Sequence, residues 1–173
     1  DDHPHWEAIH AFDVDLDGDM DVLSAGNWLV WWENVDGSGN EWIDHVFQND
    51  PGDYYEMDIA LSDMDNDDDM DIVICGSYEA TLGWFENNDG SGYSWSYNEI
   101  LDAGPAINSI HCSDIDGDTD TDIVASPLLG GDIFWSENID GLGMSWDTRF
   151  IAGCGGATYV YAADIDHDSD NDV

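Results

Sequence analysis

The sequence predicts an all-β fold of β-propeller blades, with three full repeats and the start of a fourth, and two observations support this prediction. An aspartate-rich stretch of nine residues occurs four times, beginning at Asp13, Asp63, Asp114 and Asp164, so that successive copies lie 50, 51 and 50 residues apart. Short alternating apolar stretches flank each copy, and no stretch has the hydrophobic periodicity of a helix. Four antiparallel strands in a unit of about 50 residues are typical of a propeller blade.

The first two strands of each repeat flank the aspartate-rich loop. The first strand is predicted at residues 7–12, 57–61, 107–112 and 159–163, and the second at 22–26, 72–76 and 123–126. The loop therefore joins two antiparallel strands. We expect one repeat domain over residues 1–173, divided into repeats at 6–50, 51–103 and 104–153 and a partial repeat at 154–173.

The third and fourth strands are joined by a glycine-rich turn. Aromatic residues followed by Glu-Asn predict the third strand at 29–34, 82–87 and 133–138. The Asp-Gly pairs at 36–39, 89–92 and 140–143 tolerate positive φ and are a strong hairpin signal. The fourth strand of each repeat is anchored by a tryptophan, which is Trp42, Trp95 or Trp146.

Each loop brings five carboxylates together within nine residues, which predicts a bound cation. Two like charges 4 Å apart repel by about 1 kcal/mol in water and by about 4 kcal/mol at an effective dielectric near 20. Several flexible oxygen ligands suit calcium better than magnesium, and no Cys or His recurs at the alternating positions, which disfavours zinc and copper. The alternative is four solvated acidic turns without an ion. Four copies in register favour Ca2+, with up to one ion per loop.

The loop at residues 13–21, which reads Asp-x-Asp-x-Asp-Gly-x-x-Asp and runs into Val22-Leu23, resembles the calcium loop of the FG-GAP/VCBS repeats, the family of integrin-α-like propellers. The Trp-Trp-Glu-Asn and Asp-Gly-Ser-Gly elements resemble the rest of that repeat. The resemblance implies one calcium per loop, held by the side chains of the first, third, fifth and ninth residues and by the carbonyl of the seventh. The implied metal-site residues are Asp13, Asp15, Asp17, Asp19, Asp21, Asp63, Asp65, Asp67, Asp69, Asp71, Asp114, Asp116, Asp118, Asp120, Asp122, Asp164, Asp166, Asp168, Asp170 and Asp172.

The sixth loop position departs from the family pattern in three of the four copies. The family favours glycine there, where the backbone turns sharply, and only Gly18 fits. Asp68, Thr119 and Ser169 replace it. A β-branched residue is the least suited to positive φ, so the loop at 114–122 is expected to be the weakest site.

The charge of the chain limits its partners. It has 41 acidic residues, one arginine and no lysine, for a formal net charge of −40. This excludes ordinary nucleic-acid binding, which needs basic patches, and argues against anionic membranes. No apolar run is long enough for membrane insertion. Calcium loops fill most readily where calcium is millimolar, which predicts an extracellular or cell-surface location. Because the chain begins at Asp1 and stops within a repeat, we expect a segment of a longer protein.

The cysteines and histidines carry no recognisable site. Cys75 and Cys112 read as small buried residues, and a disulfide between them is the less favoured alternative; Cys154 has no repeat counterpart. His10, His45, His111 and His167 are interpreted as incidental residues without a shared repeat position, and most of the nine tryptophans as core or inter-blade packing.

No nucleophile–base pair or phosphate loop stands apart from the repeats, so we expect no enzyme. The leading hypothesis is an extracellular calcium-binding module for adhesion or structural assembly, with a protein or polysaccharide ligand and self-association through open blade edges. One alternative is a lectin-like propeller that uses exposed aromatics such as Trp28. Another is an accessory propeller part of a secreted carbohydrate-active enzyme.

Overall fold

The computed structural model describes residues 6–26, 28–47, 56–76, 82–101, 106–128, 131–153, 157–168 and 171–173. These residues form three four-stranded antiparallel sheets and no helix. Blade 1 comprises β1 (Trp6–Phe12), β2 (Asp21–Gly26), β3 (Val30–Asn34) and β4 (Trp42–Val46). Blade 2 comprises β5 (Glu56–Ser62), β6 (Asp71–Gly76), β7 (Leu82–Asn87) and β8 (Trp95–Leu101). Blade 3 comprises β9 (Ile107–Ser113), β10 (Asp122–Pro127), β11 (Asp132–Asn138) and β12 (Trp146–Gly153).

Each sheet is an up-and-down meander in which strands that follow one another in sequence are hydrogen-bonded neighbours. The first strands of the blades pack together, since β5 contacts both β1 and β9. The predicted all-β fold of repeated four-stranded units is confirmed, and the sheets are arranged like propeller blades. The described residues do not close into a ring, and no membrane-spanning helix is found among them.

The strand that follows the loop is buried on both faces in blade 2, because that blade lies between the other two. Every residue of β6 is buried. Ile72 and Ile74 pack with Leu23 and other apolar residues of blade 1, whereas Val73 and Cys75 pack with residues of blade 3. Successive side chains of a strand point to opposite faces, which explains why this strand is a continuous apolar run.

The third-strand tryptophan of one blade packs against the glycine turn of the next blade. Trp31 and Trp84 are fully buried, as the sequence analysis predicted for the repeated tryptophans. A Cβ added to Gly92 would lie 3.0 Å from the Trp31 ring, and one added to Gly143 would lie 2.5 Å from the Trp84 ring. The Trp84 indole N–H also donates to the Gly143 carbonyl at 3.3 Å.

Polar side chains add contacts between blades 2 and 3. The Asp58 carboxylate accepts the backbone N–H of Ile110 at 3.0 Å. The Asn66 amide donates to the Gly141 carbonyl at 3.0 Å, and the Asn138 amide donates to the Met64 carbonyl at 3.0 Å. The first of these bonds joins β5 to β9, and the other two join the loop region of blade 2 to the turn of blade 3 and to the end of β11.

The interpretation of the histidines as incidental was wrong for three of them. His10 and His111 both lie three residues before the first loop aspartate, and each is paired with the second strand at the same register. The His111 ring lies 4.0 Å from the ring of Tyr161, which holds that position in the fourth unit. His45 shares its position with Asn98 and Arg149, because all three pair with the third-strand tryptophan.

The His45 position completes a repeated contact between the third and fourth strands. His45 stacks on Trp31 at 4.3 Å and hydrogen-bonds Glu33 at 2.7 Å. Arg149 lies 5.0 Å from the Trp135 ring and forms a salt bridge with Glu137. In blade 2 the Asn98 amide donates to Glu86 at 3.3 Å. The sequence comparison missed this position because its three occupants differ in type.

The predicted strand at 159–163 is not formed. Only an isolated bridge between Ala163 and Asp172 is present in this region. In the other blades this strand pairs with the residues that begin at the last loop aspartate, and here only Asp172 and Val173 occupy those positions. Cys75 and Cys112 are not joined in a disulfide, and Cys154 lies outside the described residues.

Replacing Gly143 with alanine should lower the free energy of unfolding by about 2–4 kcal/mol, because the new Cβ combines positive φ with overpacking against Trp84. Gly39→Ala is the matched control, since Gly39 has φ +74 in the same turn of blade 1 but its nearest neighbour would be 3.8 Å away. It should lose only about 1–2 kcal/mol. Urea denaturation in calcium measures both, and equal losses would contradict the inter-blade packing.

Candidate metal centres

In each loop, carboxylate oxygens from three aspartates lie within 4.8 Å of one another. Each aspartate is named by its position in the nine-residue loop, so that Asp13, Asp15, Asp17, Asp19 and Asp21 are the first, third, fifth, seventh and ninth aspartates. The first and third aspartates take part in all four clusters. The clusters are Asp13, Asp15 and Asp17; Asp63, Asp65 and Asp71; Asp114, Asp116 and Asp122; and Asp164, Asp166 and Asp172. The fifth aspartate joins only the first cluster and the ninth joins the other three, while Asp67, Asp118 and Asp168 lie outside these clusters and Asp170 lies outside the described residues.

Two left-handed residues, at the fourth and sixth positions, bend each of the first three loops, and the sixth residue of the fourth loop, Ser169, lies outside the described residues. The sixth residue has φ of 97° at Gly18, 73° at Asp68 and 82° at Thr119, which confirms the predicted sharp turn. The fourth position is also left-handed, a feature that sequence reasoning missed. Its residues are Leu16, Asn66, Gly117 and His167.

The first aspartate fastens this turn with one of its oxygens. Asp13 Oδ2 accepts the backbone N–H of Gly18 at 3.0 Å. The same bond runs from Asp68 to Asp63 and from Thr119 to Asp114, also at 3.0 Å. The second oxygen of Asp13 accepts no hydrogen bond, whereas in Asp63 and Asp114 it accepts the backbone N–H of Asp67 at 3.1 Å and of Gly117 at 2.8 Å.

The ninth aspartate ties the loop to the third strand. Asp71 is 1% exposed, and its two oxygens accept the backbone N–H of Met64 at 2.8 Å and of Asn87 at 2.9 Å. Equivalent pairs of bonds are made by Asp21, with Val14 and Asn34, and by Asp122, with Ile115 and Asn138. This residue therefore supports the blade itself in addition to any role as a ligand.

The seventh aspartate lies against the first glycine of the Asp-Gly turn in its own blade. A Cβ on Gly141 would lie 2.5 Å from Asp120 Oδ2, and one on Gly90 would lie 3.0 Å from Asp69 Oδ2. Asp19 has the same relation to Gly37. The carboxylates of Asp19, Asp69 and Asp120 are absent from the clusters described above, which agrees with a carbonyl contribution at this position.

Buried carboxylate oxygens without a hydrogen-bond partner indicate where a cation would fit. Within the clusters, Asp13 Oδ1 of the first loop and Asp65 Oδ1 of the second loop are buried and accept no hydrogen bond. Burial, and then neighbouring carboxylates, raise the pKa of Asp65 and Asp69 to about 6. The single basic side chain able to offset these charges, Arg149, is bound to Glu137 and Asp147. A set of hard oxygens that lacks both donors and counter-charges fits calcium.

A comparison with family models identifies one segment of the chain. The model of the FG-GAP-like repeat matches residues 63–125. Residues 63–125 are therefore similar to an FG-GAP-like repeat. This match begins at the first aspartate of the second loop and ends in β10, just beyond the third loop, so the FG-GAP-like repeat spans two of the carboxylate clusters. A search of curated proteins found no match to the chain.

Without metal, the protein should become less stable as the pH rises from about 4 to about 7. Burial raises the pKa of Asp71 to about 7 and that of Asp122 to about 6, from 3.8. The folded state therefore binds more protons than the unfolded state in this range, so the free energy of unfolding falls with pH.

The measurement is urea denaturation of decalcified protein at pH 5 and pH 7.5, with the calcium-loaded protein as the control. We expect the higher midpoint at pH 5 without calcium. In calcium the order should reverse, because protons compete with the ion for the carboxylates. A decalcified protein that is more stable at pH 7.5 would contradict the raised pKa values.

Replacing Thr119 with glycine should raise the free energy of unfolding by about 1 kcal/mol, because φ of 82° strains a β-branched residue and glycine relieves that strain. The reciprocal variant, Gly18→Thr, should lose a similar amount, since a Cβ on Gly18 would meet nothing within 4 Å and only its φ of 97° opposes the change. Thermal unfolding in calcium compares the two. Destabilisation by Thr119→Gly would contradict the proposed strain.

Proposed function

We propose that the chain is a non-enzymatic, calcium-stabilised repeat module of an extracellular or cell-surface protein. The observation that carries this proposal is the recurrence of carboxylate clusters in the loops of an FG-GAP-like repeat fold, two of which contain a buried oxygen without a hydrogen-bond partner. Carboxylates that repel one another when empty become ligands when an ion is present. Their cost to the folded state then turns into binding energy.

Calcium would act here on the stability of the blades. Each loop joins the first and second strands, and its ninth aspartate reaches the end of the third strand, so one ion braces three of the four strands of a blade. A ligand that binds only the folded state stabilises it by about 2.7 kcal/mol when its free concentration is a hundred times its Kd. Millimolar extracellular calcium supplies such an excess for loops whose Kd is about 10 μM or lower, the range of sensor sites.

The repeated loops argue for support rather than catalysis. A catalytic site needs one asymmetric arrangement of an acid, a base or a nucleophile, whereas these aspartates recur with nearly the same hydrogen bonds in successive blades. Stacked repeat units present long surfaces to other molecules. We therefore assign the module to adhesion or to the assembly of a surface structure.

A lectin-like function is the second candidate. The Trp28 side chain is 57% exposed and has no tryptophan counterpart in the other repeats, so it is free to stack on a sugar ring. Binding to a glycan array that disappears in Trp28→Ala would favour this function over a purely structural one.

The double variant Asp15→Asn, Asp17→Asn tests the role of calcium in the first loop. Asparagine keeps the side-chain oxygen that accepts backbone N–H groups from Asp17 and Asp19 but removes the charge. In calcium we expect a loss of about 3 kcal/mol in the free energy of unfolding. In decalcified protein we expect no loss or a gain, because carboxylate repulsion is reduced.

Asp36→Asn is the matched control for this experiment. Asp36 lies in the glycine turn, where bonds from the Ser38 hydroxyl and backbone lower its pKa to about 2. Its replacement should change stability equally with and without calcium. If the double variant also behaved in this way, calcium would have no structural role in the loop.

A further inference from the structure

A cleft of about 370 Å³ lies between blades 1 and 2. Its walls are largely aromatic, and six of the residues that line it carry rings. They are His45, Phe47, Phe85, Tyr93, Trp95 and Tyr97. This volume falls within the range of about 300–1,000 Å³ that is typical of small-molecule sites.

The rings form a packed floor and an exposed rim. The Phe47 ring lies 5.1 Å from Phe85 and 5.3 Å from Trp95, and Phe85 lies 5.2 Å from Tyr97. Tyr93 forms the rim, with 58% of its surface exposed and its ring 5.6 Å from His45. The cleft therefore offers π surface at its mouth as well as in its depth.

Blade packing does not require these rings. The strand registers align His45, Phe85 and Tyr97 with Asn98, Ser136 and Thr148 at the interface of blades 2 and 3. There the Ser136 and Thr148 hydroxyls are hydrogen-bonded at 2.9 Å. The second interface keeps Trp146 at the position of Trp95, but the rings of His45, Phe85 and Tyr97 are particular to the first interface.

The rim residue Tyr93 has its own replacement at the second interface. Met144 follows Gly143 in the turn of blade 3, as Tyr93 follows Gly92 in the turn of blade 2. Met144 is 67% exposed, close to the exposure of Tyr93. The pair Tyr93 and Met144 therefore provides a matched comparison between the two interfaces.

Charge selects the occupant of the cleft. The net charge of −40 repels anions and attracts cations from a distance. Glu33 lies at the rim, hydrogen-bonded to His45 at 2.7 Å and to the Tyr93 hydroxyl. Aromatic faces also carry partial negative charge, and they bind alkylated ammonium groups more readily than strongly hydrated inorganic ions.

We propose that the cleft between blades 1 and 2 binds a small organic cation with a quaternary ammonium head. The apolar methyl groups contact the ring-lined walls, while the positive charge interacts with the π surfaces and with the acidic surroundings of the rim. The site uses none of the loop carboxylate clusters, so it does not depend on the proposed function of calcium.

The first experiment is a calorimetric titration of the calcium-loaded protein with choline at physiological ionic strength. The control ligand is 3,3-dimethylbutan-1-ol, which has the same shape as choline but no charge. We expect choline to bind about fivefold to thirtyfold more tightly than this alcohol. Equal binding would overturn the proposal in favour of a purely apolar pocket. Binding of neutral monosaccharides in place of choline, or no binding of choline, would overturn it as well.

Variants of the rim residue Tyr93 test whether the cation binds in this cleft. Tyr93→Ala should weaken choline binding about fivefold at an unchanged melting temperature, because Tyr93 is exposed and contributes a π surface. Tyr93→Phe should retain the binding, and Met144→Ala should leave it unaltered. If Met144→Ala had the same effect as Tyr93→Ala, or if Tyr93→Ala had none, the cation would bind elsewhere and the proposal would fail.

Discussion

Each blade depends on the buried aspartate that ends its acidic loop. Asp71 satisfies a backbone N–H of the loop and another at the end of β7, and Asp21 and Asp122 do the same in their blades. A charged group in this environment is costly, which is why burial raises the pKa of Asp71 to about 7. A single carboxylate at this point therefore holds both the loop and the end of the third strand.

The contacts between blades are arranged around the same constraint. The loop end fixes the third strand, the third strand places Trp31 and Trp84, and these rings accept only glycine in the turn of the following blade. Apolar residues of alternating orientation on β6 then fill the space between neighbours. Because Trp31 packs against blade 2 and Trp84 against blade 3, the sheets pack closely even though the chain carries a charge of −40.

The strand pattern and the sharp turn at the sixth loop position could be predicted because both depend on residues close in sequence. The turn at the fourth position was missed because Leu16 breaks the pattern in the first loop, although Asn66, Gly117 and His167 are residue types that favour positive φ. The second hydrogen bond of Asp21 could not be predicted either, because its donor, the backbone N–H of Asn34, is thirteen residues away in sequence. The aromatic cleft could not be predicted either, because the equivalence of His45 and Asn98 is given by the strand register and not by the residue types.

The packing of each tryptophan beneath the following blade has a consequence during synthesis. Trp31 is covered by a turn whose glycine, Gly92, lies 61 residues further along the chain. At a translation rate of about 5–20 residues per second, a ribosome needs about 3–12 s to make that stretch. Blade 1 therefore emerges with an exposed indole and acquires its cover only later. The apolar contact between two neighbouring blades is thus completed only after the turn of the second blade has been made.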